Sequence, residues 1–195
     1  LCVMTLEEGG VSPEKGEVLV TGAAGGVGSV GVAILGELGY QVAASTGRPE
    51  TNEYLKALGA GNIIPRADLA QPARPMAAER WAGCLDTVAG QILASVLPSV
   101  QKGGCVAACG NAAGVNVPIT ILPFILRGVS LRGVDSNTCP IDRRQIAWDR
   151  LAKTLPRSKL DAITVVRPLT DVMQVAEEIL SGQVRGRTVI DVGQL

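Results

Sequence analysis

The segment that most constrains this chain is Val18-Leu19-Val20-Thr21-Gly22-Ala23-Ala24-Gly25-Gly26-Val27-Gly28, an aliphatic run that breaks into glycines and continues as a small-residue helical pattern from Val30 to Leu38. A literal Gly-x-Gly-x-x-Gly falls on Gly26, Gly28 and Gly31, but counted from a strand that ends near Thr21 this register begins too late. The working frame is Ala23-Ala24-Gly25-Gly26-Val27-Gly28. In such a frame the backbone turns sharply, approaches a pyrophosphate closely and enters a helix with no side chain in the way. The helix start then offers unbonded N–H groups and a partial positive charge to phosphate. Two other readings compete. One is a glycine-rich turn that serves helix packing only; the other is a P-loop, which would need a Gly-Lys-Ser/Thr that is absent here.

The chain beyond the loop supplies the context that a glycine fingerprint needs. Aliphatic runs at 41–45, 62–64, 84–88, 105–109 and 129–134 predict strands, and the segments 51–58, 92–100 and 123–126 between them predict helices. That alternation predicts an α/β fold, a Rossmann-type doubly wound parallel sheet. Hydrophobic residues make up 47% of the 195, and aromatics only 3%. An aliphatic core of that kind suits strands covered on both faces. Residues 142–155 read as an amphipathic helix with Ile146, Trp148, Leu151 and Leu155 buried. Beyond Pro156 the pattern changes to a strand at 162–166, a helix at 171–180 and a strand at 187–192.

Which nucleotide fits is decided at the end of the second strand. A chain that selects NAD usually places Asp or Glu there for the adenosine ribose hydroxyls. This one has Ala44-Ser45-Thr46-Gly47-Arg48, with no acid before Glu50. Thr46 can donate a hydrogen bond, and Arg48 can form a charge-assisted fork with a 2′-phosphate. NADPH is favoured, against the plainer reading of Arg48 as a solvated loop arginine.

Other classes fall away on charge and composition. Lys plus Arg and Asp plus Glu are 18 each, so no basic field attracts nucleic acid. No apolar run is long enough for a membrane span. The five cysteines show no Cys-x-x-Cys spacing and the chain has no His, so neither a disulfide frame nor a His-based metal site is expected. Reduced thiols in a cytoplasmic setting are the expectation. Leu1-Cys2-Val3-Met4-Thr5-Leu6 has no initiator Met or signal pattern and reads as the middle of a helix, as though cut from a longer chain.

Beyond the glycine loop, Ser45-Thr46-Gly47-Arg48, Trp81-Ala82-Gly83-Cys84-Leu85-Asp86-Thr87-Val88, Gly103-Gly104-Cys105-Val106-Ala107-Ala108-Cys109-Gly110, Pro123-Phe124-Ile125-Leu126-Arg127 and Gly133-Val134-Asp135-Ser136 occur in order. Together these blocks resemble the zinc-free, quinone oxidoreductase-like branch of the medium-chain dehydrogenase/reductases, most of all the bacterial NADPH-dependent acryloyl-CoA reductase group. The resemblance implies a GroES-like catalytic domain before Leu1, an NADP-binding domain at 1–155 and a returning segment at 156–195 that completes the catalytic domain. It implies pyrophosphate contacts from Ala24, Gly25, Gly26 and Val27. It places Thr46, Gly47 and Arg48 at the 2′-phosphate, Asn62 near the adenosine end, and Cys109 and Gly133 along the nicotinamide half. Plainer readings stand beside three of these blocks: Asn62 as a turn cap, Cys109 as a small buried hydrophobe, and Asp86 as only a strand-end hydrogen-bond partner.

The activity so implied is hydride transfer from NADPH to the β-carbon of an α,β-unsaturated acyl thioester. Reduction of quinones or enones is the second enzymatic reading, and a non-catalytic nucleotide-sensing module the third. No catalytic side chain is assigned within 1–195, and no metal ligand. The edge segment Val129–Val134, with Phe124, Ile125 and Leu126 beside it, is expected to pair two copies into a homodimer unless Arg127 and Arg132 blunt it.

Overall fold

The aliphatic runs pair side by side as parallel strands. In the computed structural model, which describes residues 1–193, the main sheet comprises β1 (Glu17–Val20), β2 (Gln41–Thr46), β3 (Asn62–Pro65), β4 (Trp81–Asp86), β5 (Val100–Ala108) and β6 (Ser130–Gly133). Their order is β3-β2-β1-β4-β5-β6, with every neighbouring pair parallel. This is the Rossmann-type doubly wound sheet, and its order reverses between β1 and β4. Successive side chains of a strand point to opposite faces, and the core divides accordingly. Val18, Val20, Val42, Ala44, Cys105 and Ala107 face one buried cluster, while Leu19, Ala43 and Val106 face the other.

Helices cover both faces. Against the first cluster lie α1 (Cys2–Glu8), α2 (Gly26–Glu37) and α3 (Asn52–Leu58), through Leu6, Val32, Leu35, Leu55 and Leu58. Against the second lie α4 (Arg66–Leu69), α5 (Gly90–Val96) and α6 (Leu122–Arg127), through Leu69, Ile92, Leu93, Val96 and Phe124. Full burial of each large aliphatic side chain contributes about 1.5–3 kcal/mol. The helix α7 (Ile141–Thr154) comes next, then α8 (Arg157–Ile163), β7 (Thr164–Pro168), α9 (Val172–Leu180) and β8 (Arg187–Asp191). β7 and β8 form a separate two-stranded parallel sheet.

Several expectations need correction. α2 starts at Gly26 rather than Val30, because glycines fill its first turn in place of aliphatic residues. β4 starts at Trp81, whose side chain is buried, and ends at Asp86. The strand expected at 162–166 begins at Thr164, and α8 stands before it, opened by Pro156 at its N-cap. α7 buries none of its residues: Trp148 is 61% and Ile146 53% exposed. Trp148 and Leu151 line a groove of about 290 Å³ that α7 shares with α1 and α2, so the helix was right and the burial was not.

Candidate functional site

The carboxyl ends of β1 and β4 flank the point where strand order reverses, the place where open α/β sheets bind ligands. Chain exit from β1 is tightly held there. The Thr21 N–H donates to the Leu85 carbonyl (3.0 Å), Ala23 N–H to Ser45 (3.1 Å) and Gly25 N–H to Gly22 (3.0 Å). Gly25 is extended at the N-cap of α2, and Ser29 N–H returns to its carbonyl at 2.9 Å. The N–H groups of Gly26, Val27 and Gly28 find no such partner among the described residues, so the twelve-residue helix points three free donors out of the loop.

The glycines have separate jobs. A Cβ at Gly28 would lie 2.7 Å from the Ala23 Cα and strike the Gly22 carbonyl, so this glycine sets how closely α2 enters the turn. The nearest atoms to a Cβ at Gly26 would be those of the Arg187 side chain, with Nε at 2.9 Å and Cδ at 3.0 Å. Arg187 comes from β8, far along the chain, and its guanidinium lies beside Gly26. Gly186 N–H donates to the Ala24 carbonyl at 2.9 Å and fastens that segment to the loop.

At the end of β2, Thr46, Gly47 and Arg48 come together as expected, but Thr46 cannot donate outward. The Thr51 hydroxyl gives its one proton to the Arg48 carbonyl (2.7 Å), so in the 3.0 Å contact between the hydroxyls Thr46 is the donor. Its oxygen also accepts the Arg48 N–H at 3.1 Å. Thr46 shapes the turn. Arg48 sends Nη1 to the Gln183 carbonyl (2.6 Å) and Nη2 to that of Val184 (3.0 Å). Of the five guanidinium donors, three remain. Beside them stands a residue that the sequence did not single out. A Cβ at Gly47 would lie 2.6 Å from the Arg66 Cζ, which places that guanidinium at the turn. Arg185 stacks on Tyr54 at 4.4 Å. Among the described residues none of Arg48, Arg66, Arg185 and Arg187 is ion-paired to a carboxylate. One signal for Arg66 was available: it follows the carboxyl end of the strand beside β2.

Asn62 lies elsewhere. It opens β3 at the strand's amino end, and its side chain donates to Glu17, the first residue of β1. Parallel strands put that edge of the sheet opposite the glycine loop, which corrects the expectation that Asn62 sits at the adenosine end. Cys109 follows β5 and Gly133 closes β6, both at the carboxyl edge of the sheet. The Cys109 N–H and thiol both donate to the Asp86 carbonyl, at 2.9 and 3.5 Å. Hydrogen bonding with Cys2, and then burial, push the Cys109 thiol well above the usual range, so it stays neutral. Asp86 is fully buried, and desolvation raises its pKa.

With the geometry in place, comparison with known proteins is decisive for the family. The sequence profile of the family described as zinc-binding dehydrogenase matches residues 26–153. The chain belongs to that family. This zinc-binding dehydrogenase family member is 51% identical over 193 residues to the acrylyl-CoA reductase AcuI of Ruegeria pomeroyi, a match covering 98% of the chain and 58% of the relative. It is similar in structure to the yhdH oxidoreductase from Salmonella enterica in complex with NADP, with TM-score 0.96 and 50% identity over 98% of this chain and 59% of that one. The Bacillus subtilis protein yhfP with NAD bound gives TM-score 0.92 and 43% identity over the same 98% and 59%. The chain thus spans 58–59% of the length of these relatives. Despite the family description, the described residues contain no group of three His, Cys, Asp or Glu side chains that could hold a metal. The residues present do not fit a zinc ion. No described helix is long and apolar enough to cross a membrane.

Proposed function

We propose that residues 1–155 form the NADPH-binding domain of an oxidoreductase that reduces the C=C bond of an α,β-unsaturated acyl thioester, acryloyl-CoA or a close analogue. Residues 156–195, the last two outside the described residues, form the returning segment of a separate catalytic domain. The observation that carries this reading is the three free amides of α2 with one guanidinium beside Gly26 and two more at the neighbouring Gly47 turn. The identity to the Ruegeria pomeroyi reductase supports the substrate class.

The donor set fits NADPH. Ala24 and Gly25 shape the turn that faces the pyrophosphate, Gly26 and Val27 offer it N–H donors, and Arg187 adds a cation beside Gly26. Arg48, with its three remaining donors, and Arg66 beside Gly47 hold the 2′-phosphate. Cys109 and Gly133 line the second half of the dinucleotide from the ends of β5 and β6. When bound, NADPH supplies a hydride to the β-carbon of the thioester while a proton reaches the α-carbon, leaving NADP⁺ and the saturated thioester. The described residues position the cofactor and exclude water below it; none is assigned as the proton donor. NADH is the second reading, favoured by the NAD-bound yhfP relative. The protein is placed in the cytoplasm as a homodimer paired through β6, with no nucleic-acid or membrane partner. On its own the chain should bind NADPH and turn acryloyl-CoA over little; substantial turnover by this chain alone overturns the division of labour.

A further inference from the structure

Ala89 is the one non-glycine residue at positive φ among the described residues, at φ 56° and ψ −144°. A Cβ is unfavourable there, and such strain persists only where surrounding structure holds it, most often at ligand clamps. The holding group is identifiable. Asp86 ends β4 fully buried, and its carboxylate accepts the Ala89 N–H at 2.9 Å and the Thr21 hydroxyl at 2.6 Å. No Lys or Arg is paired with it among the described residues. Thr21 reaches back to the same turn. Its hydroxyl oxygen accepts the Thr87 N–H (3.1 Å) and its carbonyl accepts the Thr87 hydroxyl (2.9 Å).

The turn is also wedged from both sides by glycines. A Cβ at Gly22 would lie 2.9 Å from Val88 Cγ1, one at Gly90 would lie 2.6 Å from the Ala113 carbonyl oxygen, and one at Gly110 would lie 3.1 Å from Thr87 Cα. The Ala113 N–H donates to the Val88 carbonyl at 2.7 Å. One unpaired buried carboxylate thus ties the ends of β1 and β4 across the point where strand order reverses. A buried charge and a strained alanine are both costly, and a neutral turn with glycine would avoid both.

We infer that Asp86 is a positioning residue for the half of the dinucleotide beyond the pyrophosphate: it holds the strained turn Thr87–Gly90 as a fixed backbone floor for the ribose on that side. The inference rests on the nucleotide reading of the site. On that reading the adenosine half belongs at the ends of β2 and β3, where Arg48 and Arg66 stand, away from this turn, so the two halves can be probed separately.

The test titrates the whole chain and its variants with NADPH and with 2′,5′-ADP, which carries the adenosine half alone. Asp86→Ala should weaken NADPH by about tenfold or more, since the strain it restrains is of that order. The affinity for 2′,5′-ADP should stay within about twofold, below the scale of one lost hydrogen bond. Adding Ala89→Gly to Asp86→Ala should recover part of the NADPH affinity, because glycine takes positive φ without a carboxylate to hold it. Should Asp86→Ala fail to fold, Ala89→Val gives the same reading: a branched side chain expels the turn from positive φ, weakening NADPH and sparing 2′,5′-ADP. Equal weakening of both ligands, unchanged NADPH affinity, or no recovery on adding Ala89→Gly overturns the inference. Failure of the unmodified chain to bind either ligand overturns the nucleotide reading itself.

Discussion

The nearest neighbour of a Cβ at Gly26 is the movable end of the Arg187 side chain, whereas one at Gly28 runs into the backbone of Gly22 and Ala23. Gly26→Val should therefore leave the thermal midpoint almost unchanged while removing NADPH binding, because the branch fills the space the pyrophosphate needs. Gly28→Val should lose binding and also cost about 1–3 kcal/mol of stability, as overpacking does. Calorimetric melting beside a binding titration separates the two. Arg48→Ala and Arg66→Ala should each weaken NADPH by about 1.5–3 kcal/mol, the range for hydrogen bonds to a charged group, and leave NADH nearly untouched. Equal weakening of both cofactors by Arg48→Ala would limit Arg48 to fastening the Gln183–Val184 loop. Away from the site, Arg143 draws the Glu8 carboxyl below its ordinary 4.5. Its contribution is present above pH 4.5 and fades as pH falls through the lowered folded value. Both partners are over a third exposed, so Glu8→Gln should cost less than about 1 kcal/mol at pH 7. Chemical denaturation at pH 7 and pH 3 should show that deficit shrinking.

Elements that repeat a local pattern were legible in the sequence, and those defined by distant partners were not. The strand–glycine–helix unit at 17–37 announces itself because every signal lies within one stretch of chain. Thr46, Gly47 and Arg48 are proposed from the same local pattern, although the Thr46 proton is spent on Thr51, which no spacing reveals. Arg66 and Arg187 were missed because each reaches the site through strand pairing or from the tail. Asn62 was misplaced because a strand's two ends look alike in sequence. α8 was missed because Pro156 reads as a stop when here it begins a helix. At the sheet edge, Arg127 turns inward to the carbonyls of Pro98 and Ala77, both at 2.7 Å, and does not guard β6. Ile125 and Leu126 are left 65% and 61% exposed beside the unpaired side of β6. If two copies join there, Leu131→Lys should shift a dimer towards monomer in sedimentation velocity, because charge on an edge strand opposes pairing. An unmodified chain that sediments as a monomer at high concentration would remove the edge from consideration.

At the scale of the whole molecule, a chain of zero formal charge sets Arg187 beside Gly26 and brings Arg48 and Arg66, which follow the carboxyl ends of β2 and β3, to the turn at Gly47. The segment after α9 is tied down by Gly186 on Ala24 and by Arg48 on the carbonyls of Gln183 and Val184. On the proposed reading a ligand places one phosphate near Gly26 and another beside Gly47. The most direct test is isothermal titration of the unmodified chain with NADPH and with NADH. The account predicts tighter binding of NADPH by about tenfold or more, the worth of a charge-assisted contact to one extra phosphate, and loss of that preference in the Arg48→Ala, Arg66→Ala double variant. Equal affinity for the two cofactors, or a preference that survives the double variant, would contradict it.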